Sequence, residues 1–188
     1  AENLAIVFAR SGKKTLIIGA DLRRPKLYAD FTKSNQIGIS NFIMGEKALS
    51  EVILKTDVEN LDILVSGPIP ENPSDLLLKD KMDEMMYQIK QLYDIILIDT
   101  PPIGLVADTL SLMKYSDHNL YIVRQGYTKT GLLSFVEDYY KKDRLGNLHI
   151  VFNDVQEGSG VYGYAYGSGY GYGYEYSGYL NNDDYFEK

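Results

Sequence analysis

Two aspartates stand where apolar runs of the chain stop. Asp21 follows Leu16-Ile17-Ile18-Gly19-Ala20 and precedes Leu22-Arg23-Arg24-Pro25, whereas Asp99 closes Ile95-Ile96-Leu97-Ile98 and precedes Thr100-Pro101-Pro102. If both runs are strands of a parallel sheet, both carboxylates sit at carboxyl ends, where open α/β sheets bind their ligands. A carboxylate there can hold magnesium, directly or through water, because that ion takes few carboxylates and completes its shell with phosphate oxygens and water. The plain alternative is that Asp99 caps the segment after it. Arg23, Arg24 and Lys26 can meet a nucleotide phosphate or an acidic peptide, or they form a solvated basic helix start. Thr100 can hydrogen-bond near a phosphate, and a threonine before Pro-Pro is also an ordinary turn.

The rest of the composition narrows the chemistry. The 188 residues contain no cysteine and no tryptophan, which excludes a disulfide scaffold, a thiolate-ligated metal and a cysteine nucleophile. A formal net charge of −7 argues against binding nucleic acid through a basic surface, so no nucleic-acid partner is expected. No run approaches 18 apolar residues, the length that spans a bilayer as a helix. His118 and His149 have no acidic or histidine neighbour at metal-ligand spacing along the chain and are assigned no chemistry. Asp108 stands at an expected helix start and reads as a cap. Arg124, ending an apolar run, reads as a member of a structural ion pair.

The elements that must position these residues follow from periodicity. Residues 1–155 alternate helical and strand patterns, an α/β doubly wound arrangement with a mainly parallel sheet and helices on both faces. Ala1–Arg10 is expected as a helix with Leu4, Ala5 and Phe8 on one face, ended by Ser11-Gly12. Strands are expected at Thr15–Ile18, Leu61–Val65, Asp94–Ile98, Asn119–Val123 and Leu148–Phe152. Their nearly continuous apolar character implies cover on both faces. A helix is expected from Asn72 as N-cap and Pro73 at its first position, with Asp75 in the first turn. Its apolar positions run through Leu76, Leu77, Met82, Met85, Met86, Ile89 and Leu92, the methionines as core packing.

Residues 156–188 have a different composition. Nine of the 17 tyrosines lie here, at Tyr162, Tyr164, Tyr166, Tyr170, Tyr172, Tyr174, Tyr176, Tyr179 and Tyr185, mostly interleaved with glycine and serine. So much glycine makes ordering costly, and Val161 and Ala165 offer little apolar area to offset it within Gly158–Tyr179, so a flexible tail is expected. The tail carries five acids and one base, leaving a charge of −3 on the folded part.

The order LIIGADLRRP, PENPSDLL, YDIILIDTPP, NLYIVRQGYTK and IVFND, followed by a tyrosine cluster, resembles the bacterial tyrosine kinases of capsule and exopolysaccharide export. The likeness implies a P-loop ATPase-like fold and an ATP- and Mg2+-dependent protein-tyrosine kinase. It places Asp99 at the Walker B aspartate and Asp21 at the second aspartate of the second Walker A-like motif, as catalytic and magnesium-binding residues. Arg23, Thr100 and Asn153 would serve the nucleotide, with Asn153 at the adenine. The nine tail tyrosines would accept phosphate, mainly between subunits. Neighbouring kinase subunits in a homo-oligomer, a membrane polysaccharide co-polymerase and a cognate tyrosine phosphatase are the implied partners. The implied location is the cytoplasmic face of the plasma membrane.

Two departures bear on activity. Gly19 occupies the position of the first aspartate of the second Walker A-like motif, so no carboxylate there can accept a proton. No G-x-x-x-x-G-K-[ST] occurs in the 188 residues. Gly12-Lys13-Lys14-Thr15 has some of the letters but follows a helix and enters a strand, the reverse of a phosphate loop. By the resemblance, Ala1–Arg10 is the helix that follows the phosphate loop, and the chain is expected to begin just after that loop and its strand. Taken alone, it is expected to bind ATP weakly. The rival readings are a non-catalytic adaptor whose tail another kinase phosphorylates, and a ParA/MinD-like ATPase.

Overall fold

In the computed structural model, residues 1–27, 31, 34–103, 108–142 and 146–156 are described. The nine tail tyrosines, and the tail as a whole from residue 157, lie outside the described residues. The element order is α1 (Glu2–Arg10), β1 (Thr15–Gly19), α2 (Ile39–Ile43), α3 (Leu49–Val52), β2 (Leu54–Lys55), β3 (Leu61–Leu64), α4 (Pro73–Leu77), α5 (Asp80–Lys90), β4 (Ile95–Asp99), α6 (Asp108–Leu112), β5 (Asn119–Arg124), α7 (Thr130–Lys141) and β6 (Leu148–Asn153). A single 3-10 turn, Met113–Tyr115, follows α6.

The strands form two sheets. In the first the order is β2-β3-β1-β4, with β1 parallel to both β3 and β4 and the two-residue β2 antiparallel at the edge. In the second, β5 and β6 pair in parallel, Asn119 opposite Leu148 through Arg124 opposite Asn153. Every residue of β1 and β3 is buried, as the continuous apolar runs imply. Ile18, Leu16 and Leu64 face a core with Met82, Met85, Met86 and Ile89. Ile17, Leu61 and Ile63 face Ala5, Ala9 and Leu27 on the other side. The methionines therefore pack in the core.

Several expectations need correction. The segment from Asn72 to Leu92 is two helices, because Lys79 adopts an extended conformation (φ −70°, ψ 148°) and starts a second helix at Asp80. Exposed Leu78 ends the first helix and Leu92 lies beyond the second. Asn72 stands at the N-cap without a side-chain cap bond. On α1 the buried positions are Ala5 and Ala9, while Leu4 is partly exposed. Small residues let this helix lie close to the sheet. Finally, among the described residues β5 and β6 are not covered on both faces. Leu120, Ile122, Ile150 and Phe152 are each about half exposed or more, although Tyr121 and Leu148 pack against Ile103 and Val136.

Gly12 closes α1 in the left-handed region (φ 82°), with its N–H donated to the Ala9 carbonyl and that of Lys13 to the Phe8 carbonyl. The chain then enters β1, and Lys14 donates its N–H to the Asp94 carboxylate at 2.9 Å while its carbonyl accepts from the Asp94 N–H. The GKKT letters thus build a helix end and strand start.

Candidate active site

The carboxyl ends of β1, β3 and β4 surround a shallow cleft lined by Gly19, Asp21, Pro25, Lys26, Leu27, Asn35, Val65, Ser66 and Asp99. The register explains why Asp21 and Asp99 meet there. Gly19 pairs with Asp99 across β1 and β4, and Ala20 donates its N–H to the Asp99 carbonyl at 2.8 Å. The next residue, Asp21, is the first beyond this last rung. Arg23, Thr100 and Asn153 do not line the cleft. Arg23 instead donates from Nη2 to Ser74 Oγ at 2.7 Å, tying the loop after β1 to the first turn of α4. Thr100 directly follows Asp99, half-buried, and Asn153 ends β6 in the separate sheet, exposed and opposite Arg124.

Asp21 shapes its own loop. One carboxylate oxygen accepts the N–H groups of Arg23 (3.0 Å) and Arg24 (2.9 Å), the turn that an Asx residue makes two and three positions on. This is a structural use of the residue, made among the described residues through that one oxygen. Asp99 is half-buried, and this burial raises its pKa above the usual carboxylate range. The charge of Asp21 pushes in the same direction. A partly buried carboxylate whose charge is opposed by a neighbouring carboxylate makes a place where a cation would relieve repulsion.

That donor set fits magnesium. Among the described residues no three His, Cys, Asp or Glu side chains converge as a metal cage. Magnesium does not need one, since one or two carboxylates plus water and phosphate oxygens satisfy it. Gly19 fits the same picture less well. A Cβ added there would lie 3.1 Å from Leu27 Cδ2, so an aspartate would need Leu27 to shift by a few tenths of an ångström.

The loop after β3 supplies what the sequence reading missed. Asn35 Oδ1 accepts from the Gly67 N–H (3.0 Å) and the Ser66 hydroxyl (3.1 Å), and its Nδ2 donates to the Gly67 carbonyl (2.6 Å). Gly38 lies against the backbone of Val65 and Gly67, where no side chain fits. Ser66-Gly67 directly follows an apolar strand, which was the available signal for a third strand end at the site. Nothing in the local sequence near Asn35 points to its partner 31 residues away. The sequence likewise gives no sign that His118 Nδ1 lies 3.1 Å from His149 Nε2, which corrects the expectation that these residues have no histidine partner. Arg124 forms an ion pair, its Nε 2.7 Å from Asp154 Oδ2. Asp108 is the first residue of α6.

Residues 1–147 match the family described as AAA domain. The chain is 38% identical over 129 residues to the tyrosine-protein kinase YwqD of Bacillus subtilis (strain 168), covering 69% of this chain and 54% of that protein. It is 33% identical over 162 residues to the tyrosine-protein kinase CpsD of Streptococcus agalactiae serotype III (strain NEM316), covering 86% and 70%. It therefore spans about half the length of the first relative and more of the second. Among solved structures, the kinase domain of the Escherichia coli tyrosine kinase ETK superposes with a TM-score of 0.76 at 32% identity, over 87% of this chain and 64% of that one. MinD of Pyrococcus horikoshii OT3, complexed with Mg-ADP, is more distant at a TM-score of 0.61 and 26% identity, over 80% and 60%. With its two strand-end aspartates on neighbouring parallel strands, the chain belongs to the bacterial tyrosine-protein kinases, on the α/β fold they share with P-loop ATPases such as MinD.

Proposed function

We propose that this chain carries the carboxylate half of an ATP-dependent protein-tyrosine kinase site, and that the phosphate it directs goes to tyrosines between Tyr162 and Tyr185. The observation that carries the reading is the convergence of Asp21 and Asp99 on one cleft, with Asp99 electrostatically strained by burial and by Asp21. Asp99 and Asp21 would hold magnesium, which when bound neutralises charge on the terminal phosphates. Lys26 lines the same cleft and supplies a positive charge. In the transfer, the tyrosine oxygen bonds to the γ-phosphorus as the bond to the ADP oxygen breaks, and the phenolic proton goes to solvent. Gly19 offers no base, and phosphoryl transfer depends chiefly on positioning and charge stabilisation. Each phosphate adds roughly −1.5 to −2 charges to an acidic tail. Several on one tail would repel neighbouring subunits, a switch suited to polysaccharide export controlled at the cytoplasmic face of the membrane with a co-polymerase, and reset by a tyrosine phosphatase.

Incubating the native gene product that bears these residues with Mg-ATP should place phosphate on the tail tyrosines by mass spectrometry. Asp99→Asn should lower the rate by about 10²-fold or more, the scale for losing a charge-stabilising group. Phosphate confined to serine, or an unchanged rate in the variant, would overturn the reading. A second reading, a non-catalytic adaptor phosphorylated by another kinase, is favoured by the lack of a carboxylate at Gly19. It predicts tail phosphate only when a separate kinase is added.

A further inference from the structure

The two histidines of the described chain meet on one exposed surface. His118 immediately precedes β5, and His149 lies in β6 opposite Leu120. Their side chains approach with Nδ1 of His118 3.1 Å from Nε2 of His149, the rings tilted by 48° and their centroids 5.3 Å apart. Both side chains are exposed.

The backbone under the pair is fixed by three hydrogen bonds between the segments that enter β5 and β6, and by a fourth within the first. Asn119 donates its N–H to the Asn147 carbonyl (3.0 Å) and its Nδ2 to the Gly146 carbonyl (2.8 Å). Asn147 returns Nδ2 to the Asp117 carbonyl at 2.9 Å, and Ser116 holds the Asn119 side chain through a 2.8 Å bond to Oδ1. Asn147 takes the left-handed conformation (φ 47°), which asparagine tolerates better than most residues. The chain ends that carry both imidazoles, before β5 and at the start of β6, are thus positioned before any ligand arrives, the condition for a precise site.

We propose that His118 and His149 form a bidentate site for a transition-metal cation of the zinc class. At zinc–nitrogen distances of about 2.0–2.1 Å, a 3.1 Å separation of ligand nitrogens corresponds to a nitrogen–metal–nitrogen angle of about 95–100°, near that of tetrahedral coordination. In the neutral hydrogen-bonded pair, one of the two facing nitrogens carries a proton. Binding moves that proton to the far nitrogen of the same ring and turns both facing lone pairs onto the ion. No third His, Cys, Asp or Glu gathers with them among the described residues, so water completes the shell. The ion would staple the start of β5 to the start of β6, in the sheet with the least burial. This site is separate from Asp21 and Asp99, which are carboxylates suited to a hard cation.

Titrating the untagged chain with Zn2+ by calorimetry in a non-chelating buffer should show one saturable equivalent and a raised unfolding temperature. His118→Ala and His149→Ala should each abolish both effects while circular dichroism stays unchanged, and His149→Gln should keep a polar contact yet lose the metal. Asp21→Asn/Asp99→Asn should retain the binding, and excess Mg2+ should not displace it. Undiminished binding in His118→Ala/His149→Ala, no saturable binding by the parent chain, or loss only in the aspartate variant would each overturn the proposal.

Discussion

The two sheets are built from equally apolar strands and live in different surroundings. In β1 and β3 every residue is buried between α1 on one side and α5 with its methionines on the other. In β6 every residue after Leu148 is exposed, and Ile150 keeps 64% of its surface in water. The strand between these extremes is β4, half-buried along its whole length and hydrogen-bonded to β1 on one edge. Parallel strands gain their stability from neighbours on both edges and helices on both faces. Among the described residues, the first sheet is therefore the buried base of the carboxylate site, and the second packs on α7 through Val136 and Tyr139.

The largest effect that tests this contrast is a matched pair of truncations. Ile63→Ala in β3, at 0% exposure, should cost about 2–5 kcal/mol in urea unfolding, because it removes buried methyl groups and leaves a cavity. Ile150→Ala in β6 should stay within about 0.5 kcal/mol, as surface changes do. Equal costs would break the comparison. Hydrogen exchange should agree, with β1 and β3 amides protected near the global limit and β5 and β6 amides opening far more readily.

A smaller effect probes a polar group within the rigid sheet. Asp62 is buried in β3, where its carboxylate accepts from Lys55 Nζ and from the Tyr93 hydroxyl, both at 2.7 Å. Burial, followed by the neighbouring Asp62 carboxylate, raises the pKa of Tyr93 far above its usual range. The phenol therefore stays a donor at any physiological pH. Tyr93→Phe removes that donor and should cost about 1–3 kcal/mol, measured as a shift in the urea midpoint at unchanged slope.

Asp99 should act in the opposite sense. Its folded pKa is raised by burial and then by Asp21, so the folded state binds its proton more tightly than the unfolded chain does. The favourable term is then fully present below the ordinary aspartate pKa and is lost as pH rises through the folded value. Asp99→Asn should make the chain more stable than the parent at pH 7. The gain should shrink on acidification and vanish below the pKa of an unperturbed aspartate, about 3.9. A variant less stable than the parent at pH 7 would mean that Asp99 serves the fold rather than a ligand.

How far these features could be read from the sequence depends on the range of the interactions. Strand positions, the Gly12 helix end and the buried methionines follow from periodicity and local turn chemistry, so they were legible. The break at Lys79 was not, because Leu78 and Lys79 carry no glycine or proline to announce it. Asp21 and Asp99 could be identified because each terminates an apolar run. Their meeting needed the β1–β4 register, which the sequence alone does not specify. Asn35 and the His118–His149 pair depend on contacts across 31 or more residues, with no local signature. The uneven burial of β5 and β6 was invisible for a related reason: apolar strands look alike in sequence whether or not something covers them.

The smallest effect tests the far corner of the second sheet. Arg124 Nε lies 2.7 Å from Asp154 Oδ2 where β5 and β6 end, with both side chains about half exposed. Water screens such a pair, so it should contribute no more than about 1 kcal/mol. Asp154 also sits in the left-handed region (φ 56°), which makes alanine a poor probe because it would add backbone strain. Asp154→Asn keeps the conformational tolerance and removes only the charge. Its cost should lie within about 0.5 kcal/mol and shrink further in high salt. A loss above about 2 kcal/mol would show that the two sheets unfold as one unit, with the ion pair at their shared limit.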